Sequence, residues 1–489
     1  MEIFKNMTPI QKEKKTIWKS VYDFIYSQKA PRCVEYVVLF LLFLVPFATM
    51  MYGDTKAFVH YGVNFWKSIT EGGGLHNFYE YSNGMLAYYR ANGIGGAYEV
   101  IYDFPVYIVL GIWGFPLWLV CSGFGIEETS NMWTMLYSKS VYLVALIIVA
   151  YLIYKICKNV GVENVMAKWA AFLFLSSALV FVEIGIAGQL DVLGMPFTLL
   201  SIYYFQKKQR WKSLIFFSIA VSFKQFPLFI FLPLIMLIEK NILKIMRDTI
   251  IVFAFTVLSS LPFPKGTEAM QVKDEVRGRF MDAFLGVKAP LYNSAVPVIV
   301  LLIGGICVFC YLKKLKDDKE LEQYSVFIPA LSMFVLFTSF DSNPYWFIYL
   351  APFMAILISY NSSRFSQLIL FETVGMLCLI LNQFGANYWV YESYWAKGMI
   401  LDQIFGYPEN LITLERFGAS TNLNEFYGVF FAGFMLCIGA CLAISLPGKM
   451  RKSENAMVRP YVLLRMFLNA GISCIPVFLF LISHYIQLH

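Results

Sequence analysis

The chain is 489 residues long, 58% hydrophobic and 18% aromatic but only 15% charged, with a mean hydropathy of +0.61; a soluble globule of this size needs far more charged surface. The net charge of +7 is carried by short basic clusters between apolar runs, a pattern that orients membrane helices and leaves no continuous basic face for nucleic acid. An all-α polytopic membrane protein of about 11–13 membrane helices is expected, with the lipid bilayer as a partner and no nucleic acid.

Residues 1–33 form a basic N-terminus, expected in the cytoplasm, with Lys5, Lys12, Lys14, Lys15, Lys19, Lys29 and Arg32 ahead of the first apolar run at 34–52. That run starts too late for a signal peptide and lacks a small-residue cleavage site, so it reads as a retained helix. The chain then emerges on the outer side at Gly53-Asp54 into a long polar and aromatic loop, 53–103. Tyr61 to Trp66 are expected to begin a short interfacial helix, broken by Gly72–Gly74 and by Gly93 to Gly96. The loop ends in Tyr102-Asp103-Phe104-Pro105.

Length alone does not say whether 104–120 spans or lies along the outer surface. If it is interfacial, Lys155, Lys158 and Lys168, and then Lys207, Lys208, Arg210 and Lys212, all fall on the cytoplasmic side, and Gly188-Gln189-Leu190-Asp191 is delivered to the outer side. The stretch 213–239 begins and ends beside basic clusters. A hairpin of two short helices meeting at Lys224-Gln225-Phe226-Pro227 satisfies both, because proline lacks an amide hydrogen and biases its neighbour away from helix. Beyond 263 the chain alternates, with outer loops at 264–293, which carries Arg277 and Arg279, and at 385–426. Asp341, Tyr345 and Trp346 lie at another outer turn.

Nine cysteines are scattered mostly in apolar segments, and Cys307-x-x-Cys310 has no second pair, so no zinc site is implied. The histidines, His60 and His76 among them, show no metal-ligand spacing. Charged and amide groups at membrane depth are costly and mark a site by default. Gln189, Asp191 and Lys224 are such groups, and Asp54 and Asp103 share their side.

Asp54 after the first helix, the following Trp66, Gly72–Gly74 and Tyr79, the sequence Asp103-Phe104-Pro105, Gly188-Gln189-Leu190-Asp191 and Ser222-Phe223-Lys224 together resemble the GT-C superfamily of membrane glycosyltransferases. They look most like its mannosyltransferase-like branch, related to the second mannosyltransferase of GPI-anchor assembly. That branch more often reads Asp-Tyr-Pro-Pro where this chain has Phe104 and Val106. The resemblance covers roughly the first 260 residues, which makes 34–263 a catalytic module and 264–489 a variable C-terminal membrane module. It implies a GT-C-like helical bundle, a polyprenyl-phosphate sugar as donor, an outward-facing active site and Asp54 as base. The expected setting is a bacterial plasma membrane.

The chemistry fits these residue types. A lipid-phosphate leaving group needs a cation, for which Lys224, Arg277 and Arg279 are candidates. The acceptor hydroxyl needs a carboxylate base, for which Asp54 and Asp103 are equally placed on physical grounds. Gln189, Asp191, Asp341, Tyr345 and Trp346 are candidates for holding sugar or acceptor. One base and one phosphate clamp suffice for a single inverting displacement of a hexose onto a glycan, glycolipid or protein acceptor. No cofactor is expected beyond the lipid-linked donor, and the need for a divalent metal stays open. A polysaccharide polymerase or ligase, and a lipid-linked sugar flippase or transporter, are the competing readings.

Overall fold

A computed structural model describes residues 19, 22–24, 26–340, 342–385, 396–453 and 457–488. Lys5, Lys12, Lys14 and Lys15, Asp341 and the 386–395 part of the second long loop lie outside them. The described chain is almost wholly helical, with one two-stranded antiparallel hairpin, β1 (Lys288–Leu291) and β2 (Ser294–Pro297). Among the described residues, five helices are long and apolar enough to cross a membrane, up to eight if each bent pair counts as one span, and three shorter apolar helices accompany them. Several of the membrane helices expected from hydropathy are therefore short or bent, a form tolerated where backbone faces protein rather than lipid.

The first span, α1 (Cys33–Thr49), ends at Met50, and the chain turns by 85° into α2 (Gly53–Thr70). The helix expected to begin at 61–66 starts earlier, at Gly53, and ends just before the predicted glycine break, where Gly73 and Gly74 have φ values of +82° and +123° that suit glycine. Helix α3 (Phe78–Ala91) follows, and Tyr61, Tyr79 and Tyr107 stitch the 98–103 strand of loop onto the helices through hydrogen bonds to its backbone.

Helix α4 (Phe104–Phe124) passes the length and composition test for a span, yet both its ends stay at the end of the bundle where α1 stops. Phe104 packs on Phe263 with ring centroids 4.6 Å apart. Beyond its other end Glu128 bonds His60 of α2. Its flank lies along α2 closely enough that a Cβ on Gly62 would fall 2.8 Å from Leu110 O, an approach only small residues allow. The interfacial placement inferred from the basic clusters fits this geometry.

Helix α5 (Met132–Asn159) starts beside Met50 and ends where Lys452 Nζ donates to Val160 O at 2.6 Å. Helix α6 (Asn164–Leu175) returns and, after a 49° bend, becomes a π-helix at Val180–Ile186. Gln189 is extended, Leu190–Gly194 form a 3₁₀ turn, and α7 (Met195–Gln206) leads away again.

Helices α8 (Arg210–Phe223) and α9 (Leu228–Ile238) form the anticipated broken hairpin. Lys224 is extended at the break, Pro227 opens α9, and Arg210 Nη1 reaches Glu239 at 2.9 Å, which brings the two far ends back together.

After α10 (Ile242–Ser260), the stretch read as an outer loop is instead an ordered helix, α11 (Glu268–Gly286), followed by the β-hairpin. Hydropathy treats such a polar segment as loop, whereas its amphipathic spacing supports a helix resting on the bundle. Helices α12 (Val298–Leu312), α13 (Asp318–Thr338), α14 (Leu350–Tyr360) and α15 (Phe365–Gly385) follow, of which α13 and α15 are long enough to span. Short helices α16 (Ile400–Phe405) and α17 (Leu414–Ser420) precede α18 (Tyr427–Ile444), α19 (Arg459–Ser473) and α20 (Ile475–Leu488).

Two buried ion pairs join α19 to the rest. Arg459 Nε donates to Glu35 at 2.6 Å, and Arg465 grips Glu372 with two bonds of 2.6 Å. Both guanidiniums also donate to backbone carbonyls, which satisfies donors that low-dielectric surroundings would otherwise penalise. The N-terminal and C-terminal parts of the chain therefore share one core.

Candidate functional site

Four breaks in helix meet at one end of the bundle: the α1–α2 turn, the Gly188–Asp191 segment, the Lys224–Pro227 break and the 3₁₀ turn Pro344–Tyr349. Each has a local cause. Gly188 sits at φ +61°, and a Cβ there would lie 2.9 Å from Thr55 Oγ1, so glycine is required. Pro227 and Pro344 stop helix continuation by lacking an amide hydrogen.

Asp54 opens α2, and its Oδ2 accepts from Gln189 Nε2 at 3.2 Å. Burial pushes the Asp54 carboxyl up to about 6, against the Gln189 hydrogen bond and the Lys224 charge, with the Asp191 charge adding to the rise. Lys224 Nζ pairs with Asp191 Oδ1 at 2.6 Å. Around that ammonium stand Trp346, Phe226, Tyr102 and Tyr345, with ring centroids 5.1 to 5.9 Å away. The aromatic faces suit a cation held out of bulk water.

A cleft of about 250 Å³ opens in front of Lys224. Asp103, Lys224, Gln225, Arg277, Tyr345 and Trp346 supply its polar lining, and Phe280, Met281 and Phe284 of α11 supply an apolar wall. Arg277, Phe280, Met281 and Phe284 recur at helical spacing, so one face of α11 meets the cleft. Arg279 is exposed on another face and does not line it.

Asp103 is held by two cations, Lys273 Nζ at 2.9 Å and Arg277 Nη2 at 2.5 Å. Lys273 also donates to Tyr79 Oη at 3.3 Å. Its own ammonium is pulled down by burial, with the Asp103 charge and hydrogen bond opposing this. Asp54 and Asp103, equivalent in the sequence, are thus different in kind. The first has an amide partner and a raised pKa; the second is a doubly salt-bridged carboxylate anchoring α11.

Buried polar atoms at this end without a hydrogen-bond partner among the described residues include Gln189 Oε1, Asp191 Oδ2, Trp346 Nε1 and Tyr349 Oη. Orphaned groups of this kind beside a cleft call for a polar ligand or water. Gln189, Asp191, Lys224, Arg277, Tyr345 and Trp346 are brought together, Asp341 lies outside the described residues, and Arg279 is set apart. Lys273 and Tyr102 escaped the sequence reading. Lys273 lies one helical turn before Arg277, so a helical period over 268–286 would have paired them.

Behind α2 a second cluster joins His60, Glu127 and Glu128, whose nearest ligand atoms lie within 4.8 Å of one another. Both His60 ring nitrogens already face acceptors, Glu128 Oε1 at 2.9 Å and Gly95 O at 3.0 Å. Glu128 Oε2 lies 3.4 Å from Lys67 Nζ. Burial raises the Glu128 carboxyl, but the His60 bond and the Lys67 charge outweigh it and hold it at about 2. The arrangement is a hydrogen-bonded clamp between α2 and the 125–131 turn.

No family model matches the chain, and no curated protein matches it either. Among solved structures, it is similar to the crystal structure of ArnT from Cupriavidus metallidurans bound to undecaprenyl phosphate, at 11% identity and a TM-score of 0.41, over 90% of this chain and 76% of that one. A superposition of that quality carries no weight for fold or function, which rest here on the residues themselves.

Proposed function

We propose that the protein is an integral-membrane glycosyltransferase of the GT-C type that moves a hexose from a polyprenyl-phosphate donor to an acceptor hydroxyl on the extracytoplasmic face. The observation that carries this reading is a cleft lined by two cations of different origin, Lys224 and Arg277, with the buried carboxylate Asp54 behind it, near enough for the Lys224 charge to act on it. The apolar wall of α11 beside those cations suits a ligand with an anionic head and a hydrocarbon tail.

In the proposed reaction Asp54 accepts the proton of the acceptor hydroxyl while its oxygen attacks the anomeric carbon. The bond from that carbon to the phosphate oxygen breaks on the opposite side, the sugar inverts, and polyprenyl phosphate leaves with the bonding electrons. Lys224 and Arg277 stabilise the charge that develops on the leaving phosphate. A carboxyl titrating near 6 is a better proton acceptor than an ordinary aspartate and is still ionised at neutral pH.

The local charge favours a phosphodiester over a diphosphate. Lys224, Lys273 and Arg277 face Asp191, Asp103 and the ionised Asp54, so the site has no surplus positive charge to offset the second negative charge of a diphosphate. Gln189, Tyr345 and Trp346 are the proposed sugar or acceptor contacts, and Asp103 with Lys273 positions Arg277. The mannosyltransferase-like branch remains the proposed affiliation.

The test is radiolabelled transfer from a panel of polyprenyl-phosphate sugars, run with wild type and Asp54→Ala. Transfer from at least one donor, lost in the variant, supports the reading. Absence of any turnover across the panel, with folded protein, overturns it.

A further inference from the structure

Lys139 lies in α5 within a long apolar stretch and is completely buried. An ammonium in that position is costly unless its surroundings replace the lost water. Its Nζ donates to Phe47 O at 2.7 Å, to Met50 O at 2.8 Å and to Gly185 O at 2.9 Å, and stands 4.6 Å from the centre of the Phe47 ring. An ammonium has three N–H bonds and no lone pair, so three carbonyls and an aromatic face complement it; a neutral amine would aim its lone pair at one of those carbonyls.

The three acceptors belong to two separate segments. Phe47 and Met50 close α1, where terminal helix carbonyls lack intrahelical partners and carry partial negative charge. Gly185 is in the π-helix. Four residues after Met50 comes Asp54, and four after Gly185 comes Gln189. Thr55 Oγ1 adds a parallel brace to Ala187 O at 3.1 Å, and a Cβ on Gly188 would lie 3.4 Å from Lys139 Cε. All three Lys139 bonds go to backbone carbonyls and none to a side chain of the site. Its effect is therefore one of position.

We propose that Lys139 is a positioning residue that sets the Asp54–Gln189 contact by tying the end of α1 to the segment leading into Gln189. The proposal rests on the glycosyltransferase reading for its catalytic consequence, but the tether itself is testable without turnover.

Two measurements on wild type, Lys139→Met, Lys139→Arg, Gln189→Leu and the Lys139→Met/Gln189→Leu double variant decide it. In the pH profile of hexose transfer, Lys139→Met is expected to lower kcat about 100-fold, the scale of a displaced catalytic group, with donor KM nearly unchanged. Its acid limb should move to higher pH, because the Gln189 bond that lowers the Asp54 pKa is lost. In the Gln189→Leu background the same substitution should add little shift, and Lys139→Arg should restore part of the rate. Additive effects in the double variant, or an acid limb unmoved by Lys139→Met, overturn the proposal.

Hydrogen exchange of residues 46–56 and 183–190 is the second measurement. Joint loss of protection in both segments of Lys139→Met, with distant helices unchanged, supports the tether; unchanged protection overturns it. Should Lys139→Met fail to fold, Lys139→Gln, which keeps two N–H donors, takes its place in both. A wild type inactive with every polyprenyl-phosphate sugar refutes the glycosyltransferase reading, and exchange still decides the tether.

Discussion

Gln189 Nε2 donates to Asp54 Oδ2 at 3.2 Å across 135 residues of chain, and this bond opposes the burial that lifts the Asp54 carboxyl to about 6. If Asp54 is the base, turnover falls as pH drops through about 6, because the protonated acid cannot take the acceptor proton. Replacing Gln189 with Leu removes a hydrogen bond that favours the carboxylate, so the acid limb is expected to move upward, with kcat at neutral pH down about tenfold. A pH–rate profile of both proteins checks the sign. A downward shift in Gln189→Leu contradicts the assignment.

Lys224 is the more enclosed of the two cations that line the cleft. Lys224→Met leaves Asp191 buried without its partner and removes stabilisation of the leaving phosphate. A fall in kcat of about 100-fold or more is expected, with partial recovery in Lys224→Arg, which keeps the charge but spreads it over a larger planar fork than the ammonium it replaces. Single-turnover rates of polyprenyl phosphate release separate this from weaker donor binding.

Arg277 and Arg279 sit two residues apart on α11 yet face different ways. Arg277→Ala is expected to raise the donor KM about tenfold through loss of one charged contact, roughly 1.4 kcal/mol, whereas Arg279→Ala should leave both kcat and KM within twofold. Lys273→Met should follow Arg277→Ala, since it loosens the Asp103 anchor. Equal effects at 277 and 279 would mean that only the general positive charge of the segment matters.

The Glu128 clamp makes a statement about stability. Its folded pKa of about 2 lies below its ordinary value of 4.5. It therefore contributes stability that is fully present above about pH 4.5 and is lost as pH falls through about 2, on the order of 3 kcal/mol. Glu128→Gln should lower the melting temperature at pH 7 and flatten the loss of stability in acid. Thermal unfolding in detergent between pH 3 and pH 7 reads both.

Much of the fold was legible because membrane helices announce themselves. Pro227 between two basic clusters was enough to infer the α8–α9 hairpin, and the same clusters argued that 104–120 stays at one surface. Helix α11 was missed because its charges made 264–293 resemble a loop, although Lys273 and Arg277 share a helical face. The difference between Asp54 and Asp103 was not legible at all. It arises from partners more than a hundred residues away, Gln189 for one and Lys273 with Arg277 for the other. Lys139 was hidden for a related reason: a single lysine in an apolar run shows nothing of the three carbonyls that fold around it.

The most direct test of the central claim is the release of polyprenyl phosphate from a polyprenyl-phosphate hexose by purified wild type and Asp54→Asn, compared at saturating donor and about pH 7.5. Wild type is expected to release the lipid phosphate with formation of an inverted glycoside, and Asp54→Asn to do so about 1,000-fold more slowly while still binding the donor. Release by Asp54→Asn at the wild-type rate would contradict the claim that Asp54 is the base.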